Sequence, residues 1–237
     1  MRSTTIRVVT TCHKAGLKDY GHRWLDGRKN WPADTDFQFY TEGFEVDCPG
    51  KDFRDMPEFS EWKLRHSRYR PPSWKWDVVA FSHKVFAACD ALKDYDGIGV
   101  WLDADCVTYK PIPEGLIEKQ VEGVYLAHYA RPGMYTETGL WIMDCRRPEH
   151  KEFLNTWKNW YLSERFIKLP QWHDCFTLDA TIRMTGVPTF SLSGEHGTYH
   201  HPLSVTELGQ YIDHTKGPRK ELGYSPENKF HEKARAA

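Results

Sequence analysis

Several features are missing from this sequence, and each absence narrows the classes of protein to consider. No run of apolar residues approaches the roughly 20 that a membrane-spanning helix needs, so no membrane span is expected. The first residues, MRSTTIRVVTT, lack the apolar segment of a signal peptide, which predicts an intracellular, cytoplasmic protein. The 32 Lys and Arg nearly balance the 33 Asp and Glu, giving a formal net charge of −1. This balance argues against a general nucleic-acid coat protein, although it is compatible with a local basic patch.

Closely spaced cysteines and low-complexity linkers are also absent. Of the six cysteines, even the nearest two, Cys89 and Cys106, are too far apart for a C-x-x-C pair. This spacing argues against a zinc ribbon or a C-x-x-C redox motif, so the cysteines are expected to be reduced thiols. The 237 residues are 40% hydrophobic and include ten tryptophans, which predicts a folded protein. With no linker or repeat in view, a single domain over residues 1–237 is favoured, ending in a tail at 221–237.

Hydrophobic periodicity predicts strands and helices that alternate through the first half of the chain. The predicted strands are 6–11, 36–41, 97–102, 123–128 and 139–143, and the predicted helices are 19–31, 76–92, 148–162 and 172–185, with shorter ones near 58 and over 204–211. Strands separated by helices indicate an α/β fold with a mainly parallel central sheet flanked by helices. In such sheets ligands bind beyond the carboxyl ends of the strands.

Two carboxylates, Asp103 and Asp105, directly follow the apolar strand that ends at Leu102. At a strand end both can turn toward one hard cation, which prefers oxygen ligands. The sequence contains two other Asp-x-Asp pairs, at 34/36 and 94/96, but these lie in polar turns and are expected to be solvated. Position alone leaves Asp103 and Asp105 with two interpretations, a metal site or a charged strand end.

A second motif, H-x-x-G-x-x-K, contains His214, Gly217 and Lys220. An imidazole can bind a metal, a glycine lets backbone approach a bound group closely, and a lysine supplies charge for a phosphate. A cation held by the two aspartates and His214 would face a diphosphate, and Lys220 would add to its positive charge. The alternative is a charged C-terminal segment in which this spacing occurs by chance.

Together the two motifs resemble those of GT-A fold glycosyltransferases, most closely the glycogenin-like retaining branch. The resemblance extends from the strand at Ile6 to Lys220, and it implies a Rossmann-like GT-A catalytic domain that uses Mn²⁺ or Mg²⁺ and a UDP-sugar donor. It implies that both aspartates and His214 bind the cation, and that Gly217 and Lys220 contact the diphosphate. Residues at positions where the family contacts nucleoside, phosphate or donor sugar are Thr10, Thr11, Tyr20 and Lys84.

The resemblance also implies two carboxylates beside the reacting sugar. Glu137 stands where relatives carry the Asn of an Asn-Ser-Gly segment, and His173-Asp174 stands where relatives carry Asp-Gln. Glu137 and Asp174 are therefore the candidate catalytic residues, as base, nucleophile or sugar clamp. The alternatives are a loop carboxylate for Glu137 and a helix N-cap for Asp174. The resemblance favours retention of the anomeric configuration, whereas a carboxylate in place of the usual amide at 137 leaves the donor sugar and the stereochemistry open.

Residues 61–76, EWKLRHSRYRPPSWKW, interleave cationic and aromatic side chains and contain a single acid. This pattern suits phosphate contacts combined with base stacking, and it also suits stacking on sugars. A third interpretation is a loop folded over the sheet and anchored by tryptophans. The predicted acceptor is accordingly either a hydroxymethylated pyrimidine in DNA, as modified by viral glycosyltransferases, or a cell-surface glycan.

Two functions of other classes also remain open. A metal-dependent phosphohydrolase or nuclease can use Asp-x-Asp with His, but it would need a second carboxylate cluster, and no such run of ligands stands out. A non-catalytic carbohydrate-binding module could use the tryptophans, and it would bind no nucleotide in a metal-dependent way.

Overall fold

The computed structural model describes residues 5–232, and strands alternate with helices through most of that range. The strands are β1 (Ile6–Thr11), β2 (Asp36–Tyr40), β3 (Ile98–Leu102), β4 (Cys106–Thr108), β5 (Leu126–Tyr129), β6 (Glu137–Asp144), β7 (Thr189–Ser191) and β8 (Ile212–His214). The α-helices are α1 (Lys14–Gly16), α2 (His22–Gly27), α3 (Pro57–His66), α4 (Val78–Leu92), α5 (Leu116–Gln120), α6 (His150–Leu162), α7 (Asp174–Thr185) and α8 (Arg219–Leu222). A π-helical turn (Leu17–Gly21) joins α1 to α2, and short 3₁₀ turns include Arg28–Asn30, Phe53–Asp55 and Trp74–Trp76.

A six-stranded sheet in the order β2-β1-β3-β6-β5-β7 forms the centre of the fold. The pairs β1–β2, β1–β3 and β5–β7 are parallel, whereas β6 runs antiparallel to both of its neighbours. The prediction of a mainly parallel sheet flanked by helices is thus confirmed, with β6 as the exception. Only a short loop separates β5 from β6, and so short a connection joins antiparallel strands.

Both faces of the central strands are covered, which explains their continuous apolar runs. Every residue of β3 and of β6 is buried. One core contains Phe86 of α4 and Trp157 of α6, and the other contains Trp24 of α2 and Phe39 of β2. A sheet buried on both faces selects apolar residues at every position rather than at alternate ones.

The structure corrects three of the predicted elements. The helix predicted over 19–31 begins earlier, at Lys14, and includes the π turn; Gly16 is required there, since a Cβ would lie 2.4 Å from the Tyr20 hydroxyl. The strand predicted at 123–128 begins only at Leu126. The first part of the segment 61–76 is helical because it belongs to α3, which ends at His66. Phe59 and Trp62 lie one helical turn apart on the buried face of this helix.

Strands β4, β7 and β8 and helix α8 were not expected from the sequence. Each strand has three residues, which is too short for periodicity to register. β4 and β8 pair in antiparallel fashion as a separate two-stranded sheet. Of the predicted tail, residues 233–237 lie outside the described residues. Within residues 5–232, no helix combines the length and the apolar character needed to cross a bilayer.

Candidate active site

A cleft of about 430 Å³ opens at the carboxyl ends of β1 and β3, where an α/β sheet is expected to bind its ligands. Six of the residues predicted to bind donor or metal line it, namely Thr11, Tyr20, Lys84, Asp103, Asp105 and Lys220. The other predicted residues, Thr10, Glu137, Asp174, His214 and Gly217, do not line the cleft. Of these, Glu137, Asp174 and His214 are buried beside it, each in contact with a residue of this site.

The short ladder between β4 and β8 joins the two sequence motifs. Its register places His214 opposite Cys106, the residue that follows Asp105. Thr215 fixes the arrangement, since its amide and its hydroxyl both donate to the Asp105 carbonyl, at 2.9 and 2.7 Å. His214 Nε2 consequently lies 3.1 Å from Asp105 Oδ1 and 3.9 Å from Asp103 Oδ2.

The chemistry around His214 fits a divalent cation. Its Nε2 atom is buried and has no hydrogen-bond partner among the described residues, although it stands close to both carboxylates. Gly139 makes room for the ring, because a Cβ at that position would lie 2.1 Å from His214 Cε1. Two carboxylates and an imidazole form a donor set suited to Mn²⁺ or Mg²⁺.

The Cys106 thiol also lies near Asp105 and His214, but a thiol differs from a carboxylate as a metal ligand. Cys106 Sγ clusters with the donor atoms of Asp105 and His214. Burial raises the pKa of the Cys106 thiol well above its usual value, and the thiol donates to the Gly139 carbonyl. We therefore assign Asp103 rather than Cys106 as the third donor, since a hard cation prefers carboxylate oxygen to a protonated sulfur.

Lys220 and Tyr20 complete the wall of the cleft beside these aspartates. Lys220 Nζ lies 3.1 Å from Asp105 Oδ2 and 4.2 Å from the centre of the Tyr20 ring. Burial disfavours the charge on Asp105, but His214 and Lys220 outweigh it and hold the pKa of that carboxyl well below its usual range. Gly217, two residues before α8 begins, is exposed and has a φ of +57°, a conformation that favours glycine.

Lys84 connects Asp103 to Asp174. Its buried amine lies 2.8 Å from Asp103 Oδ1 and 2.9 Å from Asp174 Oδ2, and it donates to the Thr138 carbonyl at 3.0 Å. Burial opposes the charge, but the two carboxylates outweigh it and raise the pKa of Lys84. Asp174 forms a group with His173 and Cys175 that has metal-ligating atoms, yet the ammonium on Asp174 opposes a cation there.

Glu137 is buried behind the cleft and is surrounded by cationic groups. It pairs with Lys216, lies 3.6 Å from Arg131 and 3.8 Å from His214 Nδ1, and accepts from the Gly139 amide at 3.0 Å. Burial opposes its charge, but Lys216 and His214 prevail and lower the pKa of Glu137 to about 2. Lys216 lies inside the H-x-x-G-x-x-K motif but was not among the predicted site residues.

Two further residues of the cleft wall were also missed. Glu42 follows β2 and His83 immediately precedes Lys84 on α4, and both line the cleft. His83 Nε2 lies 3.1 Å from Glu42 Oε2. The signal for His83 was its place beside Lys84, whereas nothing local distinguishes Glu42 from other loop carboxylates.

The basic and aromatic segment divides into a buried part and an exposed part. Trp62 of α3 is fully buried and donates to the Tyr161 carbonyl at 2.9 Å. It thus anchors the segment, as the interpretation with tryptophan anchors expects. Trp74 instead is 57% exposed. Thr10 directly precedes Thr11, which lines the cleft. The Thr10 side chain is fully buried, and its hydroxyl has no hydrogen-bond partner among the described residues.

Glycosyltransferases are among the solved structures to which this fold is similar. The chain aligns with the apo form of glycosyltransferase GlyE of Streptococcus pneumoniae TIGR4 at a TM-score of 0.50 and 12% identity, over 81% of this chain and 46% of that one. It aligns with the apo structure of the bifunctional glycosyltransferase WbbM at a TM-score of 0.53 and 10% identity, over 94% and 47%. The apo form of mouse xyloside xylosyltransferase 1 aligns at a TM-score of 0.48 and 10% identity, over 79% of this chain and 85% of that one.

The chain therefore spans less than half the length of GlyE and of WbbM. No protein-family model matches it, and no curated protein matches its sequence. At these identities the likeness to GlyE and WbbM shows a shared α/β fold, with a central sheet flanked by helices.

Proposed function

We propose that this protein transfers a sugar from a nucleoside diphosphate sugar, with a UDP-sugar as the expected donor, to an acceptor hydroxyl with the help of Mn²⁺ or Mg²⁺. The observation that carries the proposal is the convergence of Asp103, Asp105 and the unpartnered His214 Nε2 at a cleft that also presents Lys220 and Tyr20. The glycosyltransferase fold supports the same reaction class.

The donor end of the cleft offers a partner for each part of a nucleoside diphosphate. Asp103, Asp105 and His214 would hold the cation, which when bound would act as a Lewis acid on the leaving diphosphate. Lys220 adds a positive charge beside these residues, and such fixed charges stabilise the anion that develops as the sugar–phosphate bond breaks. Tyr20 presents a ring against which a nucleobase can stack.

The two candidate catalytic carboxylates receive different roles. Neither carboxylate lines the cleft, but Asp174 contacts Lys84, which does, and shares it with Asp103, so we place Asp174 beside the reacting sugar as a clamp or a source of stabilising negative charge. Glu137 instead pairs with Lys216 and lies near His214, neither of which lines the cleft, so we assign it to positioning. Retention of configuration follows from the resemblance to the glycogenin-like branch and belongs to this proposal. The acceptor is a hydroxymethylated pyrimidine in DNA or a cell-surface glycan.

Calorimetry with UDP, with and without Mn²⁺, tests this function. We expect UDP to bind only with the metal, and Asp105→Asn to weaken binding by about 100-fold or more, since it removes one cation ligand and the partner of Lys220. Asp94→Asn is the matched control, because Asp94 is exposed and belongs to another Asp-x-Asp pair. If UDP binds equally well without metal, the assignment of Asp103, Asp105 and His214 is wrong.

A further inference from the structure

An exposed aromatic residue lies beside the proposed reaction centre. Trp74, at the 3₁₀ turn Trp74–Trp76, is 57% exposed, and its inner face stacks on His173 with ring centres 5.8 Å apart and 26° between planes. His173 directly precedes Asp174, and Phe81, 6.4 Å from Trp74, lines the cleft. Trp74 thus presents a largely exposed ring next to a residue of the cleft wall, with the Lys75 amine 6.0 Å from the ring centre.

This tryptophan is held in place by the fold. The Trp172 amide donates to the Lys75 carbonyl at 3.0 Å, which ties the turn to the segment before α7. His173, behind Trp74, is buried and contacts Phe81, Tyr135 and Phe176. A ring fixed in this way loses little conformational freedom when a second ring stacks on it.

The chain immediately before Trp74 carries cations that no carboxylate neutralises. Arg65, Arg68 and Arg70 are exposed, and none of them pairs with an acid among residues 5–232. Arg70 instead donates to the carbonyls of Ser67 and Tyr69. Of the nearby acids, Glu42 pairs with Lys63, Glu58 with Lys158 and Glu164 with His66, whereas the exposed Glu61, one helical turn from Arg65, forms no ion pair within residues 5–232. Arg70 lies four positions before Trp74, so their Cα atoms are at most about 14 Å apart.

Resting on the function proposed above, we propose that this surface, Trp74 together with Arg65, Arg68 and Arg70, binds a single-stranded segment of a nucleic acid as the acceptor. Unpaired arginines beside an exposed tryptophan match a strand whose phosphates repeat along its length and whose bases offer flat faces. A neutral glycan has no use for the arginines. A sulfated polysaccharide matches the arginines and can also pack a sugar face on the tryptophan, so heparin is the competitor that the test includes.

The test is the binding of a fluorescein-labelled oligothymidylate of about 12 nucleotides to the full chain, followed by anisotropy across a salt series. We expect affinity to fall as salt rises. Trp74→Ala should weaken binding by about tenfold, the typical loss for one stacked base. The double variant Arg68→Gln/Arg70→Gln should weaken it and lower the salt slope by about 1.4, which corresponds to two lost phosphate contacts on a single strand.

Matched controls come from elsewhere on the surface. Arg183→Gln on α7 and Phe190→Ala on the edge strand β7 remove an exposed arginine and an exposed aromatic residue, and both should bind the oligonucleotide as the parent does. The proposal is wrong if the parent binds no oligonucleotide, or if Trp74→Ala binds as tightly as the parent. It is also wrong if heparin binding depends on Trp74 to the same degree, since that result would assign the surface to polyanions in general.

UDP binding with Mn²⁺, measured on the same variants, separates this proposal from the one before. Trp74→Ala and the double arginine variant should bind UDP as the parent does, because none of these residues lines the donor cleft. Failure of the parent to bind UDP would contradict the proposed function and leave the oligonucleotide result to stand by itself.

Discussion

Neighbouring residues of α4, His83 and Lys84, belong to two ion networks that are inverses of each other. Lys84 places one amine between two carboxylates, Asp103 at 2.8 Å and Asp174 at 2.9 Å. Glu42 places one carboxylate between two nitrogen groups, the His83 ring at 3.1 Å and the Lys63 amine. Both networks border the same cleft.

Burial separates the two networks. The Lys84 and Asp174 side chains are 11% and 2% exposed, whereas those of Glu42 and Lys63 are 35% and 33% exposed. In the buried network, removing one partner leaves the others charged and poorly solvated. In the half-exposed network, water can replace a lost partner. The first network can therefore hold Asp103 and Asp174 rigidly on either side of Lys84. The second connects α3 to α4 through Glu42 and contributes little to the free energy of unfolding.

The largest effect is expected for Lys84→Met. The variant leaves Asp103 and Asp174 without their shared cation, and we expect the free energy of unfolding to fall by about 3–5 kcal/mol, as measured by urea denaturation. Adding Asp174→Asn to this variant should restore part of the loss, because it removes one uncompensated charge. Lys158→Met, which breaks an exposed pair with Glu58, is the control and should cost less than about 1 kcal/mol. Equal losses for the two lysines would show that burial does not distinguish the networks.

A smaller, pH-dependent effect is expected for Glu42→Gln. The hydrogen bond from His83, opposed by partial burial and aided by Lys63, lowers the pKa of Glu42 from 4.5 to about 2. The charged carboxylate thus stabilises the fold above about pH 4.5, and its contribution is lost as the pH falls toward 2. We expect the parent to exceed the variant by roughly 1 kcal/mol near neutral pH and the difference to vanish at the acid end.

Urea denaturation across this pH range measures that difference. Glu58→Gln removes a more exposed carboxylate and should change the unfolding free energy by less than about 0.5 kcal/mol. A gap between parent and Glu42→Gln that stays constant down to pH 2 would contradict the assignment of the lowered pKa to this network.

The first network could largely be anticipated from the sequence, whereas the second could not. Asp103 follows an apolar strand, and this local pattern locates it at the carboxyl end of the sheet, whereas Lys84, on the helix before it, was indicated by the family resemblance. Glu42, Lys63 and His83 come from a loop, α3 and α4, and no spacing within one element relates them. Helix α3 confirms the short helix expected near 58, but its extent to His66 was not evident, because charged residues on its exposed face outnumber Phe59 and Trp62 on the buried one.

The same distinction holds within the candidate metal site. The two motifs could be read in the sequence, but their contact depends on β4 and β8, strands of three residues whose pairing is set by long-range packing. Lys216 stands at an unspecified position of the H-x-x-G-x-x-K motif, and its pairing with Glu137 likewise depends on where β8 lies. Local patterns reveal chemistry at the ends of long strands, and contacts made by short elements need the structure.

The smallest effect is expected for Lys63→Met. Glu42 contacts His83 as well as Lys63, and the Glu42 and Lys63 side chains are 35% and 33% exposed, so water can replace the lost amine. We expect the free energy of unfolding to fall by less than about 0.5 kcal/mol near neutral pH, as measured by urea denaturation. A loss as large as that of Lys84→Met would show that exposure does not separate the two networks.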